Sequence, residues 1–390
     1  MENKLVKTMI SVAALSGAAL AGPVAGTVPA PAPVAESGSG DFCDTLKSLG
    51  GSVYEGGFIN SVKMTGRVHF NAAYTEGDAN SVDFDDSYIE LRRFRVGTKI
   101  QFLNDFTLVA SADLNKNSSV DDVRFGYKQM DELYLSYSLG NVMGLENVSL
   151  SYGRMKHKFS AEGSTSSNSL KTVERSVIAN QFYGGTRATG VKLSAESGAF
   201  TGALGVFSTE ADSKELSDWN HGTAIYGSLG YDCASGGAYT LQALSNDVSS
   251  GDDDRFGYDW AVSLAYTNTY GNWDILVNAI TGEQTNGDST SGLVIMPTTF
   301  IVADTVEFVA RYEYATSDGD NIGLSRYSSD ASGGSAVAGD ERHALYTGLN
   351  YYLCGNNAKV QVGVEYETSE DTMGAEADAT TLWLGFRTSF

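Results

Sequence analysis

From Val62 to Phe390 one pattern recurs: apolar and polar residues alternate with period two, then a turn-rich break follows. The last segment shows it most clearly. Leu382, Leu384, Phe386, Thr388 and Phe390 fall on one face, and Thr381, Trp383, Gly385, Arg387 and Ser389 on the other. Alternation that runs to the final residue places the chain end inside a sheet, where an unpaired edge is a hazard. In a membrane, both edges find partners when the sheet closes into a barrel.

Read this way, the chain divides into sixteen strands, and the fold class is all-β, a transmembrane antiparallel barrel. The first, at 62–73, sets Met64, Gly66, Val68, Phe70 and Ala72 opposite Lys63, Thr65, Arg67, His69 and Asn71. The second, at 88–102, sets Phe94, Val96, Thr98 and Ile100 opposite Arg93, Arg95, Gly97, Lys99 and Gln101. Others fall near 105–115, 131–139, 146–156, 186–197, 199–209, 222–233 and 237–246. The remainder fall near 257–269, 272–282, 293–302, 305–317, 342–354, 357–368 and 380–390. Most are long enough to cross a bilayer at a tilt.

Connections alternate in length. Short ones include Leu103-Asn104, Thr269-Tyr-Gly-Asn272 and Cys354-Gly-Asn-Asn357. Long ones cover 74–87, 116–130, 157–185, 210–221, 247–256, 283–292, 318–341 and 369–379. Short turns at one end and long loops at the other mark an outer-membrane barrel; a soluble sandwich has no need of that asymmetry. Aromatics near strand ends (Tyr74, Phe84, Tyr88, Trp260, Tyr270, Trp273, Tyr351 and Tyr352) suit interfacial girdles, although tyrosine is also common in strands generally.

Composition narrows this picture without replacing it. The chain has 390 residues, room for two globular domains or one large barrel, and no apolar run of the length a spanning helix needs. A net charge of −22 argues against nucleic acid as a partner. Much of the acid sits in the long connections: Glu76, Asp78, Asp83, Asp85 and Asp86; Asp252, Asp253 and Asp254; Glu370, Asp371, Glu376 and Asp378. These keep exposed loops soluble or bind divalent ions between lipopolysaccharides, and none has EF-hand spacing.

Residues 1–21 read as a signal peptide. Lys4 and Lys7 start it, Thr8 to Leu20 is its apolar stretch, and cleavage follows Ala21 or, alternatively, Ala25. Residues 22–61 are expected to form a flexible linker and a short periplasmic segment, in which Asp44 to Leu49 suits a short helix. The barrel proper is expected over 62–390. Of the three cysteines, strand parity places Cys233 and Cys354 in periplasmic turns. Pairing of Cys43 with Cys354 is the disulfide considered, with three unpaired thiols as the alternative. No Cys/His spacing points to a metal, and no cofactor is expected.

Sixteen strands enclose more space than their side chains fill, so polar inner faces imply an aqueous channel. The inner face of the first two strands is basic, with Lys63, Arg67, His69, Arg93, Arg95 and Lys99; Arg154, Lys192 and Arg311 extend it. Confined positive charge concentrates anions, and guanidinium suits phosphate or carboxylate. The longest connection, 157–185, carries His157, Lys158, Lys171, Glu174 and Arg175 among small polar residues. Folded inward, it narrows the pore and sets Lys158, Lys171 and Arg175 beside the permeant; the alternative is an exposed flexible loop.

Several segments resemble a known family. Tyr88-Ile-Glu-Leu-Arg-Arg-Phe-Arg-Val-Gly97 resembles the arginine-rich early strand of the phosphate-selective porin O and P family. Asp131-Glu-Leu-Tyr-Leu-Ser-Tyr137 is similar to its next landmark. Leu150 to Glu162, followed by Thr172-Val-Glu-Arg175, is similar to its strand leading into the third loop. Gly348-Leu-Asn-Tyr-Tyr-Leu353 and the terminal Phe390 complete the set. The resemblance implies a sixteen-stranded, trimeric porin of the Gram-negative outer membrane with an inward third loop. Its expected partners are membrane lipid, lipopolysaccharide, the barrel-assembly machinery and two further copies of itself. Family members that bind phosphate tightly carry a dense arginine cluster and a lysine ladder; this third loop has few basic residues, so general anion diffusion stands beside phosphate uptake.

The expected function is passive diffusion of small hydrophilic solutes with weak anion preference. A non-conducting adhesin or structural barrel is the alternative, although the chain has no added folded domain to mark one. An enzyme is not expected, because His69, His157, His221 and His343 lie in no recognisable catalytic motif.

Overall fold

The computed structural model describes residues 40–116, 124–183, 187–210, 216–248, 256–319, 321–333 and 338–390. The expected signal peptide, residues 22–39 of the expected linker and the run Asp252, Asp253 and Asp254 lie outside the described residues. A helix α1 (Gly40–Leu49) and a short strand β1 (Ser52–Gly56) come first. The barrel begins with β2 (Ile59–Ala79), β3 (Val82–Phe102), β4 (Phe106–Asn115), β5 (Phe125–Val142) and β6 (Leu145–Lys156). After α2 (Ala161–Ser164) and α3 (Val177–Tyr183) it continues with β7 (Arg187–Ser197), β8 (Phe200–Ser208), β9 (Gly222–Asp232), β10 (Ala238–Val248) and β11 (Tyr258–Tyr270). Then follow β12 (Trp273–Gln284), β13 (Ser289–Val302), β14 (Val306–Ser317), α4 (Arg326–Ala331), β15 (Glu341–Tyr352), β16 (Ala358–Glu370) and β17 (Glu376–Ser389).

Strands β2 to β17 form a closed antiparallel barrel of 16 strands. All sixteen alternating segments of the sequence are present. Each strand pairs with its neighbour in sequence, and β17 returns to pair with β2 from Ala377↔Ala79 to Ser389↔Arg67. Phe390 continues the ladder by exchanging two backbone hydrogen bonds with Gly66, both 3.0 Å. The terminal ring lies over Gly66, where a Cβ would stand 2.2 Å from it.

Burial is inverted relative to a water-soluble sheet. Leu135, Leu193, Leu204, Ile225, Leu264, Leu345, Val364 and Leu384 are exposed on the outer surface. Asn71, Glu90, Asn278, Glu307, Arg311, Glu313, Arg342, Gln361, Glu365 and Arg387 are buried within. A band of exposed aliphatic side chains around a polar interior fits lipid outside and water or polar packing inside.

Several strands run further than the alternation predicts. Residues 74–87 are not a long loop: β2 and β3 extend into a tall hairpin closed by Asn80 and Ser81, at φ 55° and 65°. Its acids, which suggested a loop, lie on the paired strands, where Glu76 opposes Asp85 and Asp78 opposes Asp83. The 283–292 and 369–379 connections shorten for the same reason. Of the proposed girdle aromatics, Trp260, Tyr270, Trp273 and Tyr351 are exposed outside. Phe84 and Tyr88 are buried, Phe84 against Ala79, Leu324, Ala377 and Ala379, and Tyr88 against Tyr327. The Tyr352 hydroxyl donates to Glu307 at 2.6 Å.

At the short-turn end, β1 pairs with the start of β2. Cys43 in α1 is bonded to Cys354 in the β15–β16 turn, with Cα atoms 5.5 Å apart. Cys233 is free. The β17–β2 seam is the one junction of the barrel without a connecting turn, and the Cys43–Cys354 bridge spans it covalently. Non-reducing detergent unfolding is expected to show Cys354→Ser melting earlier, by an amount in the usual disulfide range of about 2–4 kcal/mol, and Cys233→Ser melting like wild type. Free thiols at Cys43 and Cys354 in air-purified protein would contradict the pairing.

Candidate channel lumen

Two bulges decide what faces the interior. On β3, His69 opposes Arg93 and Phe70 opposes Leu91, which leaves Arg92 as an extra residue. On β5, Ser111 opposes Glu132 and Ala112 opposes Met130, which leaves Asp131 extra. A bulge shifts side-chain parity by one. Neighbouring charges Arg92 and Arg93, and Asp131 and Glu132, therefore line one cavity. Strict alternation would turn Arg92 toward lipid, where a guanidinium is costly.

The described part of the third long connection, 157–183, folds into the barrel and lies against its wall. Phe159, Val173, Ile178, Ala179 and Phe182 pack with Leu276, Ile280, Val294, Met296 and Val309 from the strands. Phe182 stacks on Tyr258 at 4.2 Å. Polar fasteners surround this apolar contact. Lys171 pairs with Glu307 and donates to Thr298 at 3.1 Å. Arg311 reaches Glu162 at 3.1 Å and Glu365 at 2.7 Å. Lys359 donates to the Leu170 carbonyl at 2.6 Å, and Arg387 to the Val173 carbonyl at 3.0 Å. Glu313 accepts the first backbone N–H groups of α3, from Val177 at 3.2 Å and Ile178 at 2.7 Å.

The loop's other margin crosses to β2 and β3. Arg67 donates to Ser167 at 2.8 Å, and His69 meets Asn168 at 3.0 Å. Glu174 takes two bonds from Arg92, at 2.5 and 3.0 Å, and one from Asn71 at 3.0 Å. A second connection, carrying α4, also turns inward. Tyr327 packs edge-on against Trp383 at 4.5 Å, Arg326 pairs with Glu90 at 3.0 Å, and Ser325 and Ser328 bond to Glu367.

What stays open is a cavity of about 640 Å³ between the third loop and the β2–β7 wall. Its lining holds nine basic side chains (Arg67, Arg92, Arg93, Arg95, Lys156, Lys158, Arg175, Arg187 and Arg326) and two carboxylates, Asp131 and Glu132. Ser164, Ser166, Ser167 and Asn180 of the loop face them. Toward the short turns, a space of about 330 Å³ shares Arg67, Arg95, Asp131 and Glu132 and adds Lys99. Another of about 160 Å³ adds Lys192 beside Lys158 and Glu196. Arg95 is held by Asp113 at 3.2 Å and Asp131 at 3.1 Å, and Arg187 by Asp131 at 2.7 Å. Lys99, Lys158 and Lys192 make no ion pair among the described residues.

The sequence-derived set thus divides. Arg67, Arg93, Arg95, Lys158 and Arg175 line the main cavity, and Lys99 and Lys192 its extensions. Lys63 is exposed across from Lys99, outside these cavities. Lys171 and Arg311 are not beside the permeant: they are buried between loop and wall, where their carboxylate partners hold them. Arg154 is buried and donates to the Met130 carbonyl at 2.9 Å. Arg175 shapes the loop as well, donating to the carbonyls of Glu162 at 2.7 Å and Thr165 at 2.9 Å. Arg92, Lys156, Arg187 and Arg326 were missed. For Arg92 the available signal was an arginine that strict alternation would have left in hydrocarbon.

Solved structures with the same fold include the outer membrane channel DcaP of Acinetobacter baumannii. It is 15% identical, with a TM-score of 0.56 over 85% of this chain and 97% of that one. An anion-selective porin from Comamonas acidovorans is 13% identical, with a TM-score of 0.57 over 85% and 99%. OprB of Pseudomonas putida is 11% identical, with a TM-score of 0.59 over 90% and 97%. No curated protein matches the chain. Residues 62–272, more than half of the sequence, match the family described as phosphate-selective porin O and P, and the chain belongs to that family of outer-membrane porins.

Proposed function

We propose that this channel passes small anions in preference to cations, inorganic phosphate among them. The observation that supports the reading is the lining of the main cavity, nine basic groups against two acidic ones, in a chain whose net charge is −22. The charges that matter lie within a Debye length of a permeant ion, about 8–10 Å at ordinary salt, and those that line the cavity are mainly basic. Low-dielectric walls focus the cationic field on the water between them. Export by the amino-terminal signal, read from its basic start and apolar stretch, and assembly as a homotrimer, implied by the family resemblance, belong to the same proposal.

In a KCl gradient across a planar bilayer, the reversal potential is expected to carry the sign of chloride preference. Arg95→Ala removes one cation, takes the ion-pair partner from Asp113 and leaves Asp131 to Arg187 alone, so the anion-to-cation permeability ratio should fall on the order of a few-fold, less at molar salt, where screening shortens to about 3 Å. Cation preference in the wild type would mean that the outer acids govern selectivity instead.

The loop's seat is testable separately. Arg311→Ala leaves Glu162 and Glu365 buried without their shared cation, a loss of about 3–5 kcal/mol for a broken buried pair. The third loop should detach and single-channel conductance should rise. An intact barrel with wild-type conductance would show that Arg311 does not hold the loop.

A further inference from the structure

Two carboxylates in the lumen meet a guanidinium with both oxygens: Glu90 meets Arg326, at 3.1 and 3.0 Å, and Glu174 of the third loop meets Arg92. Glu174 stands at the inner margin of the third loop and presents both oxygens to Arg92, Oε1 to Nε at 2.5 Å and Oε2 to Nη2 at 3.0 Å. Asn71 adds an amide donor to Oε1 at 3.0 Å, and Arg93 Nη2 lies 3.9 Å from Oε2. Fork-on-fork pairing of this kind is how guanidinium takes a free carboxylate or phosphate. Arg93 is buried to 6% exposure, lines the main cavity, and its Nη1 has no hydrogen-bond partner. Glu90 Oε1 also lies 3.3 Å from Arg92 Nε but turns both its oxygens to Arg326, so Glu174 is the carboxylate seated between Arg92 and Arg93, and the Arg93 Nη1 donor stays unused.

The backbone delivers Glu174 to this position firmly. Its own carbonyl accepts from Arg311 at 3.2 Å, and the preceding carbonyl, of Val173, accepts from Arg387 at 3.0 Å. A ligand fixed on such a support competes at high effective concentration, because its association is intramolecular. Conduction needs a site that an ion enters and also leaves, so a donor cluster with no internal competitor would hold an oxyanion rather than pass it.

We propose that Glu174 is a tethered counter-ligand that sets oxyanion affinity: it occupies the Arg92–Arg93 donor cluster and keeps carboxylates and phosphate from binding there tightly. This deepens the anion-channel reading and rests on it. Permeant oxyanions with two adjacent oxygens compete for the same donors, whereas a monatomic anion feels only the net field.

The test is block of chloride current through the full-length channel by added inorganic phosphate, acetate or iodide, in wild type and Glu174→Gln. The glutamine keeps the side chain's length and an acceptor oxygen but removes the charge. The half-blocking concentrations of phosphate and acetate are expected to fall by about tenfold or more, the effect of losing a charged competitor at a guanidinium fork, while that of iodide shifts much less. Glu174→Asp, which withdraws the carboxylate by one methylene, should fall between the two and serves as the readout if the glutamine variant does not fold. Unchanged phosphate block, or an equal shift for iodide, would overturn the proposal. The wild-type reversal potential separates the two readings: a cation-preferring wild type defeats the anion channel itself, whereas an anion-preferring wild type with unmoved block in the variants defeats only the role of Glu174.

Discussion

The pairing of β17 with β2 is the constraint on which the rest depends. In hydrocarbon an unpaired backbone amide has no water to turn to, so a sheet in a bilayer is stable only when its last strand finds its first. Here the ladder runs from Ala377↔Ala79 down to the terminal Phe390, which bonds to Gly66. Closure fixes the two faces of every strand at once. Aliphatic side chains such as Leu264 and Leu345 must face out, and polar ones such as Asn278 and Glu313 must face in.

Closure also creates a problem of volume. A ring of sixteen strands is too wide for its own side chains to fill, and the chain fills part of it with loop. The third connection and the α4 connection dock on the wall from β11 around to β2, through an apolar patch bordered by Lys171, Arg311, Lys359 and Arg387. Those cations neutralise buried carboxylates or bind loop carbonyls, so they are structural. Most of the cations that line the open cavity are on the opposite wall, where bulges turn Arg92 and Asp131 inward beside their neighbours; Lys158, Arg175 and Arg326 join them from the inward connections. One polar interior therefore serves two purposes, a dry, paired half that holds the loop and a wet, mainly basic half that meets the solute.

The barrel was legible because its signal is periodic and local: alternation places Leu384 and Arg387 on opposite faces without reference to any distant residue. Strand ends were less legible, since Asp83 and Asp85 in a hairpin above the membrane have the composition of a loop. The basic early strands and the inward third loop were visible too. Which basic residues face water was not, because that depends on tertiary partners. Lys171 and Lys158 sit on the same loop with the same chemistry, yet Glu307 takes Lys171 into the wall, and among the described residues no carboxylate does so for Lys158. Arg92 was hidden by a bulge, which breaks the parity that made the strands readable.

The central claim is that the polar faces of these strands and the third loop enclose a wet, cationic passage. Thiol-reactive probes test it most directly, with Ser166→Cys for the lumen and Leu264→Cys for the outer surface, each in a Cys233→Ser background. The account predicts that an anionic methanethiosulfonate modifies the Ser166→Cys site from water faster than its cationic counterpart and lowers the current, while the Leu264→Cys site reacts only with a lipid-soluble reagent. Faster reaction of the cationic reagent with the Ser166→Cys site, or ready modification of the Leu264→Cys site from water, would contradict it.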